Sequence, residues 1–392
     1  MDLLRMQRAS RGLPRFLAQR LDLLEDFESA AEWGAEGADD LINYKTGSQS
    51  VVTTAPAGSY SRLTKTVSTD ISNYNALRLF YYLHDAVPTN ILVYLATKWD
   101  LSKFLLFTIT SPMQLGWNSV HLPRGNFSSS GGASWGEPIE RMRIRTNAAA
   151  SDCTISYDTL RGAASSQAAI IIMFDDGYES DHGIALQYMR PRRLRATSFI
   201  ITNYIGNAGF MSAEQLADLY AAGWDISNHS MSHPYLTTLS QAEQEAELAG
   251  ATAAIDALGF ARASRHVAYP YGAYNADTFA AMTATGMWTG RRTAQTHSLP
   301  LPHAELRHIP RTKTMTSATT LASVISAINN AITHGEVRAF SFHGLTEGVP
   351  AGDEWGAGDF RAMIDHIMAV GIPVITINDW YNAISGPIAV PR

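Results

Sequence analysis

The chain has 392 residues, 46% hydrophobic and 17% charged, enough for two domains with full cores in an ordinary globular protein. A net charge of −6, with no polybasic run longer than Arg190–Arg195, argues against a nucleic-acid binder. The single Cys153 rules out an internal disulfide and reads as a packed thiol, and no apolar run approaches the ~18 residues of a membrane span.

The first twenty residues, M-D-L-L-R-M-Q-R-A-S-R-G-L-P-R-F-L-A-Q-R, are basic but lack the apolar core of a secretion signal. Residues 1–21 are therefore expected to form an N-terminal arm, either frayed or an amphipathic attachment helix. From 22 to 160 the chain carries strand-like segments, among them Ala76–Leu83, Ile91–Ala96, Phe104–Thr110 and Trp117–Leu122. Turn residues separate them at intervals of roughly ten residues, the pattern of an all-β sandwich, with a weak likeness to jelly-roll domains appended to carbohydrate enzymes. Trp99, Trp117 and Trp135 could stack on sugar rings, although core packing is the commoner use. Arg161–Ala168 (R-G-A-A-S-S-Q-A) reads as a linker.

From 169 to 392 strand and helix alternate. Strands are expected at Ala169–Phe174, Ala196–Thr202, Trp224–Ser227, His266–Tyr269, Met287–Gly290, Leu306–Ile309, Val337–Phe342 and Val374–Ile377. Helices are expected at Ser212–Ala222, Ser240–Leu258 and Leu321–Thr333, the second with a capping box from Ser240 to Glu243 and a stop at Gly259. Up to eight strands with crossover helices predict an α/β fold, a (β/α) barrel that is closed or, with seven strands, incomplete.

The first of these strands ends in F-D-D-G-Y. Ligands of parallel sheets gather beyond the strands' carboxyl ends, and there Asp175 and Asp176 bring two like charges together. A bound cation would compensate them. The strand at Trp224–Ser227 leads into N-H-S-M-S-H, and an i, i+4 pair on a starting helix would place His229 and His233 on one face. Two histidines and one carboxylate leave positions open for water and substrate, as in a catalytic rather than a structural site. Alone, each motif is more often incidental: histidines pack in cores, and Asp-Asp-Gly makes turns. Their order, each after an expected parallel strand, is what sets them apart.

Here the sequence resembles the polysaccharide deacetylases, the family 4 carbohydrate esterases, over about Ser165–Trp380. M-F-D-D-G is similar to the family's first motif and N-H-S-M-S-H to its metal motif. The resemblance implies Asp175 as general base, and Asp176, His229 and His233 as ligands of a divalent ion, commonly zinc. V-A-Y-P-Y-G at Val267–Gly272 is similar to a third motif, which implies that the backbone N–H of Tyr271 points at the oxyanion. F-S-F-H-G supplies His343 in the place of the family's general acid.

Two departures stand out. Ala268 occupies the place, two residues before the proline, where the family usually has an arginine that orients the base. M-W-T-G-R-R-T lacks the aspartate that supports the acid histidine. A variant subset of the family, resembling the enzymes that act on poly-N-acetylglucosamine, also reads Y-P-Y-G at the third motif. Arg311, in H-I-P-R-T, could supply the missing guanidinium, with Arg291 and Arg292 as runners-up. His297, His303 and His308 read as surface residues.

The expected activity is metal-dependent removal of acetyl groups, N-acetyl groups of amino sugars first, from an acetylated polysaccharide outside the cytoplasm. The β-rich half would bind glycan or attach the enzyme to a larger particle; a phage tail, or a secreted protein whose signal has been removed, would reconcile that location with the absent signal. The alternatives are an O-acetyl esterase of xylan, capsule or lipopolysaccharide, and an inactive glycan-binding or virion structural protein.

Overall fold

The computed structural model describes residues 20–110, 113, 115–164, 168–295, 309–311 and 313–385. The arm expected over 1–21, except its last two residues, and His297, His303 and His308 lie outside them. The chain divides into two compact units, one of the described residues up to Ala164 and one of those from Ala168 onward.

The first unit is built of two antiparallel sheets. One contains β1 (Arg20–Glu25), β2 (Ala38–Asp40), β3 (Ser50–Ala55), β5 (Ala76–Leu83), β8 (Gly116–Pro123) and β11 (Cys153–Ala164), in the order β2-β3-β11-β5-β8 with β1 paired to β11. The other runs β4-β10-β6-β7-β9, from β4 (Tyr60–Thr69), β6 (Asn90–Ala96), β7 (Phe104–Ile109), β9 (Ser128–Ser130) and β10 (Ile139–Asn147). Strand alternation aims one face of each sheet at a shared core: Cys153, Ile155 and Tyr157 from β11 meet Val93, Leu95, Met142 and Ile144 from β6 and β10. Cys153 is the packed thiol expected, and burial pushes its pKa up to about 11. Trp135 is also in this core, its Nε1 donating to Tyr74 O at 2.8 Å, whereas Trp99 is 66% exposed. The expected linker begins as strand: Arg161–Ala164 continue β11, held by β5 on one side and β1 on the other.

The second unit is a parallel sheet of β12 (Ala169–Phe174), β13 (Thr197–Ile200), β14 (Asp225–Asn228), β15 (His266–Ala268), β16 (Thr289–Gln295), β17 (Ile309–Arg311), β18 (Lys313–Thr314) and β19 (Val337–Phe342). Their order is β17-β16-β15-β14-β13-β12-β19-β18, and Val374–Ile375 also pairs with β12. The two ends of this order, β17 and β18, are one residue apart in the chain, so their Cα atoms can lie no more than ~8 Å from each other. The sheet must curl until its edges meet. β17 and β18 follow each other along one run of chain, β17 paired with β16 and β18 with β19, so this run joins the two edges of a (β/α) barrel.

Successive residues of β12 alternate between two cores. Ile170, Ile172 and Phe174 pack outward with residues of the crossover helices, such as Leu216, Leu219, Ile328 and Phe360. Ala169, Ile171 and Met173 join an interior cluster with Phe199, Ala268 and Ala339. The helices begin where their caps predict. Ser240 and Glu243 form the reciprocal capping box of Gln241–Ala257, and Ser212 with Gln215 does the same for Ala213–Ala221.

Candidate active site

Asp175 follows Phe174 and continues the inward row of Ile171 and Met173, which directs its carboxylate into the mouth of the barrel. It is 2% exposed. Arg291 Nη2 donates to Asp175 Oδ1 at 2.5 Å, and His343 Nε2 stands 3.9 Å from Oδ2. Burial pushes the Asp175 carboxyl up, but Arg291 and then His343 and His229 outweigh it and hold the pKa below the usual range.

Asp176 has φ of 72°, a left-handed conformation that turns its carboxylate away from the direction simple alternation would give. Its Oδ1 lies 3.3 Å from His229 Nε2 and 3.5 Å from His233 Nε2, and the two Nε2 atoms are 3.2 Å apart. The histidines do not sit on a helix. Asn228 Oδ1 accepts the Ser230 N–H, Ser230 Oγ accepts the His233 N–H, and both Ser230 and His233 have positive φ. Pro234 then disfavours helical geometry at His233. A tight loop, rather than one helix face, brings the imidazoles together.

The tautomer of His229 follows from its partner. Ala268 O can only accept, so His229 Nδ1, 2.7 Å away, carries the proton and Nε2 presents its lone pair. Burial, and then His229, lower the pKa of His233 to about 4, which leaves the His233 ring neutral at pH 7. Burial pushes Asp176 up, but hydrogen bonding to His229 and the neighbouring imidazoles bring it down to about 2.

This donor set fits a small divalent ion. Tetrahedral bonds of ~2.0–2.1 Å require ligand atoms ~3.3 Å apart. The three separations here, 3.2, 3.3 and 3.5 Å, form one face of such a tetrahedron. Among the described residues, Asp176, His229 and His233 are the group of this kind.

Tyr271 has φ of 57°, and its exposed ring stacks on Tyr235 with centroids 3.9 Å apart and also meets the His233 ring at 4.5 Å. His343 follows β19, and its buried Nδ1 has no hydrogen-bond partner among the described residues, in keeping with the missing aspartate. The guanidinium beside Asp175 belongs to Arg291, in register with Ala268 on the neighbouring strand. Arg311, the residue expected in that role, ends β17, and its side chain lies outside the described residues. Sequence reasoning missed Tyr235 and also Asp181. Asp181 is buried and accepts from Ser198 Oγ at 2.9 Å; burial, with Asp175 and Asp176 adding to it, pushes its pKa well above the carboxylate range.

Residues 162–290 match the family profile described as polysaccharide deacetylase. Over that stretch the chain is similar to the polysaccharide deacetylases. The matched stretch contains the Asp175–Asp176 pair, His229, His233 and Tyr271, and ends at the residue before Arg291. A putative polysaccharide deacetylase of Bacillus subtilis, YxkH, is 30% identical over 125 residues, 32% of this chain and 44% of that one. A poly-beta-1,6-N-acetyl-D-glucosamine N-deacetylase of Staphylococcus epidermidis is 28% identical over 159 residues, 36% of this chain and 53% of that one. The chain thus spans about half the length of the curated relatives it matches. Among solved structures, a family 4 carbohydrate esterase from Streptomyces lividans is 19% identical, covering 54% of this chain and 94% of that one, with a TM-score of 0.38.

Proposed function

We propose that this chain is a metal-dependent hydrolase that removes acetyl groups from a polysaccharide, with N-acetyl amino sugars as the preferred units. The observation that carries the reading is the tetrahedral face of Asp176, His229 and His233, beside a buried carboxylate held ionised by Arg291. A divalent ion bound there, with zinc our assignment, would lower the pKa of a water and polarise the acetyl carbonyl.

The chain's own residues then divide the proton work. Asp175 takes a proton from the attacking water at Oδ2, the oxygen that faces His343, while Arg291 fixes the carboxylate through Oδ1. The Tyr271 N–H donates to the developing oxyanion. His343 gives its proton to the leaving amine nitrogen, and acetate departs. The names of the relatives, an N-acetylglucosamine polymer deacetylase and a chitooligosaccharide deacetylase among them, support an amide over an ester. Glycans of this class lie outside the cytoplasm, so we place the activity there and assign the β-sandwich to glycan binding or attachment.

Acetate release tests the reading. An N-acetyl oligosaccharide and O-acetyl xylan are offered to the protein before and after chelation, with bound metal measured in parallel. The proposal expects faster release from the amide, abolished by the chelator and restored by zinc. Faster release from xylan would make the protein an esterase, and release from neither substrate would remove the enzyme reading.

A further inference from the structure

The outer face of the second sheet of the sandwich carries a ladder of arginines. Residues 141–145 read R-M-R-I-R, so at the strand period Met142 and Ile144 enter the core while Arg141, Arg143 and Arg145 stand on the other face. In register on β4, Arg62 lies opposite Arg145. Beyond the bulge at Glu140, the outward positions of β4, β10, β6 and β7 hold four arginines and no acidic side chain, in a chain whose net charge is −6. Arg62 is paired with Glu36. Arg141, Arg143 and Arg145 have no carboxylate within ion-pair distance among the described residues.

Their orientations are nonetheless fixed. Arg143 Nε donates to Thr64 Oγ1 at 3.1 Å, Arg145 Nε to Asn147 Oδ1 at 2.8 Å, and Arg141 Nη1 to Trp99 O at 2.8 Å. For Arg143 and Arg145 the terminal nitrogens, which make the fork that recognises a carboxylate, meet no protein acceptor among the described residues. Burial, and then repulsion from Arg62 and Arg141, lower the pKa of Arg143 below the usual guanidinium value. Apart from the Arg62–Glu36 pair, this array of like charges is held in place with no carboxylate at ion-pair distance among the described residues, and such an array is complementary to a chain of anions.

The neighbouring rings narrow the choice of chain. Tyr94 and Phe104 meet edge to face at 62°, and one face of Tyr60 is covered by Arg145 at 3.9 Å. Single-stranded nucleic acid needs a succession of open ring faces, and this surface lacks them. Among the described residues, the ring largely open at its margin is Trp99, in the turn between β6 and β7. We propose that this face docks a uronate-bearing polysaccharide, its carboxylates on Arg141, Arg143 and Arg145 and a sugar ring on Trp99. The choice of a polysaccharide rests on the function proposed above; the anionic chemistry rests on the ladder alone.

Affinity electrophoresis of the full chain tests it, with polygalacturonate, neutral dextran, polyphosphate or anionic vesicles in the gel. Polygalacturonate should retard the wild type, dextran should not, and raising salt from about 0.05 to 0.5 M should remove the effect. Arg143→Gln/Arg145→Gln should weaken retention roughly tenfold, since two surface contacts are lost. Acetate release from a short neutral oligosaccharide should stay at the wild-type rate. Absence of wild-type retardation, retardation indifferent to salt, an undiminished variant, or tighter retention by polyphosphate or vesicles would each overturn the proposal. Should retardation behave as expected while neither protein releases acetate, the docking face stands and the enzymatic reading falls.

Discussion

Arg291 stands opposite Ala268 across the parallel pair β15–β16, and its guanidinium reaches the buried Asp175 carboxylate. Register partners on a sheet point to the same face and lie ~4.8 Å apart, a shift that a side chain as long as arginine can span. The guanidinium beside Asp175 thus comes from the strand next to the one that carries Ala268.

Arg291→Lys should lower turnover about 10- to 150-fold, the equivalent of ~1.5–3 kcal/mol for one charge-assisted contact, because a point charge cannot replace the fork. Burial raises the Asp175 pKa, and of the neighbouring charges that lower it Arg291 acts most strongly, so the acid limb of kcat/KM should move to higher pH in the variant. Arg311→Lys is the comparison. If that exchange costs the larger factor, the orienting role belongs to Arg311.

The contiguous parts of the site were legible in the sequence, and those that depend on register were not. F-D-D-G and N-H-S-M-S-H each follow a strand within a few residues, so one local reading places their side chains at the barrel mouth. Arg291 lies 23 positions beyond Ala268, and nothing in a single sequence says which residues of two strands face each other. The His-x-x-x-His spacing suggested a helix, but Pro234 and the left-handed Ser230 produced a loop that satisfies the same spacing. R-G-A-A at 161–164 looked like linker because it is small and weakly apolar. It is strand because β1 and β5 pair with it from both sides.

His266 should make the barrel unit sensitive to mild acid. It is fully buried, shares hydrogen bonds with Thr289 Oγ1 at 2.9 Å and Asn378 Oδ1 at 3.3 Å, and burial lowers its pKa to about 4. The unfolded chain, with a histidine near 6.5, binds more protons between these values, so stability rises with pH through this window. The contribution is whole above pH ~6.5 and lost as pH falls toward 4, by an amount on the order of 3 kcal/mol. Urea unfolding of wild type and His266→Gln from pH 4 to 7 measures it. Parallel pH dependences in the two proteins would assign the acid sensitivity elsewhere.

Phe174, which directs Asp175, should be a stability residue of the first rank. Its ring stacks on Trp224 at 5.4 Å and on Phe342 at 5.1 Å inside the outer core of the barrel. Phe174→Ala should cost ~3–5 kcal/mol of unfolding free energy. Phe174→Leu, with more of the volume kept, should cost less. A loss below about 1 kcal/mol for Phe174→Ala, read from denaturant unfolding, would mean that the cavity collapses or is filled by neighbours.

The adjacent carboxylates should separate cleanly by experiment. Asp175 Oδ1 is engaged by Arg291, whereas Asp176 Oδ1 closes the triangle with His229 and His233. Asp176→Ala, His229→Ala and His233→Ala should each lower metal affinity, because removing one donor opens the tetrahedral face. Asp175→Asn should bind metal as the wild type does. It should nonetheless lose ~10²–10⁴-fold in acetate release, the usual contribution of general-base assistance. Bound zinc and turnover are measured on the single variants side by side. A metal-free Asp175→Asn with a metal-replete Asp176→Ala would exchange the two roles. Full metal content and full activity in both would leave neither carboxylate with the part that the geometry suggests.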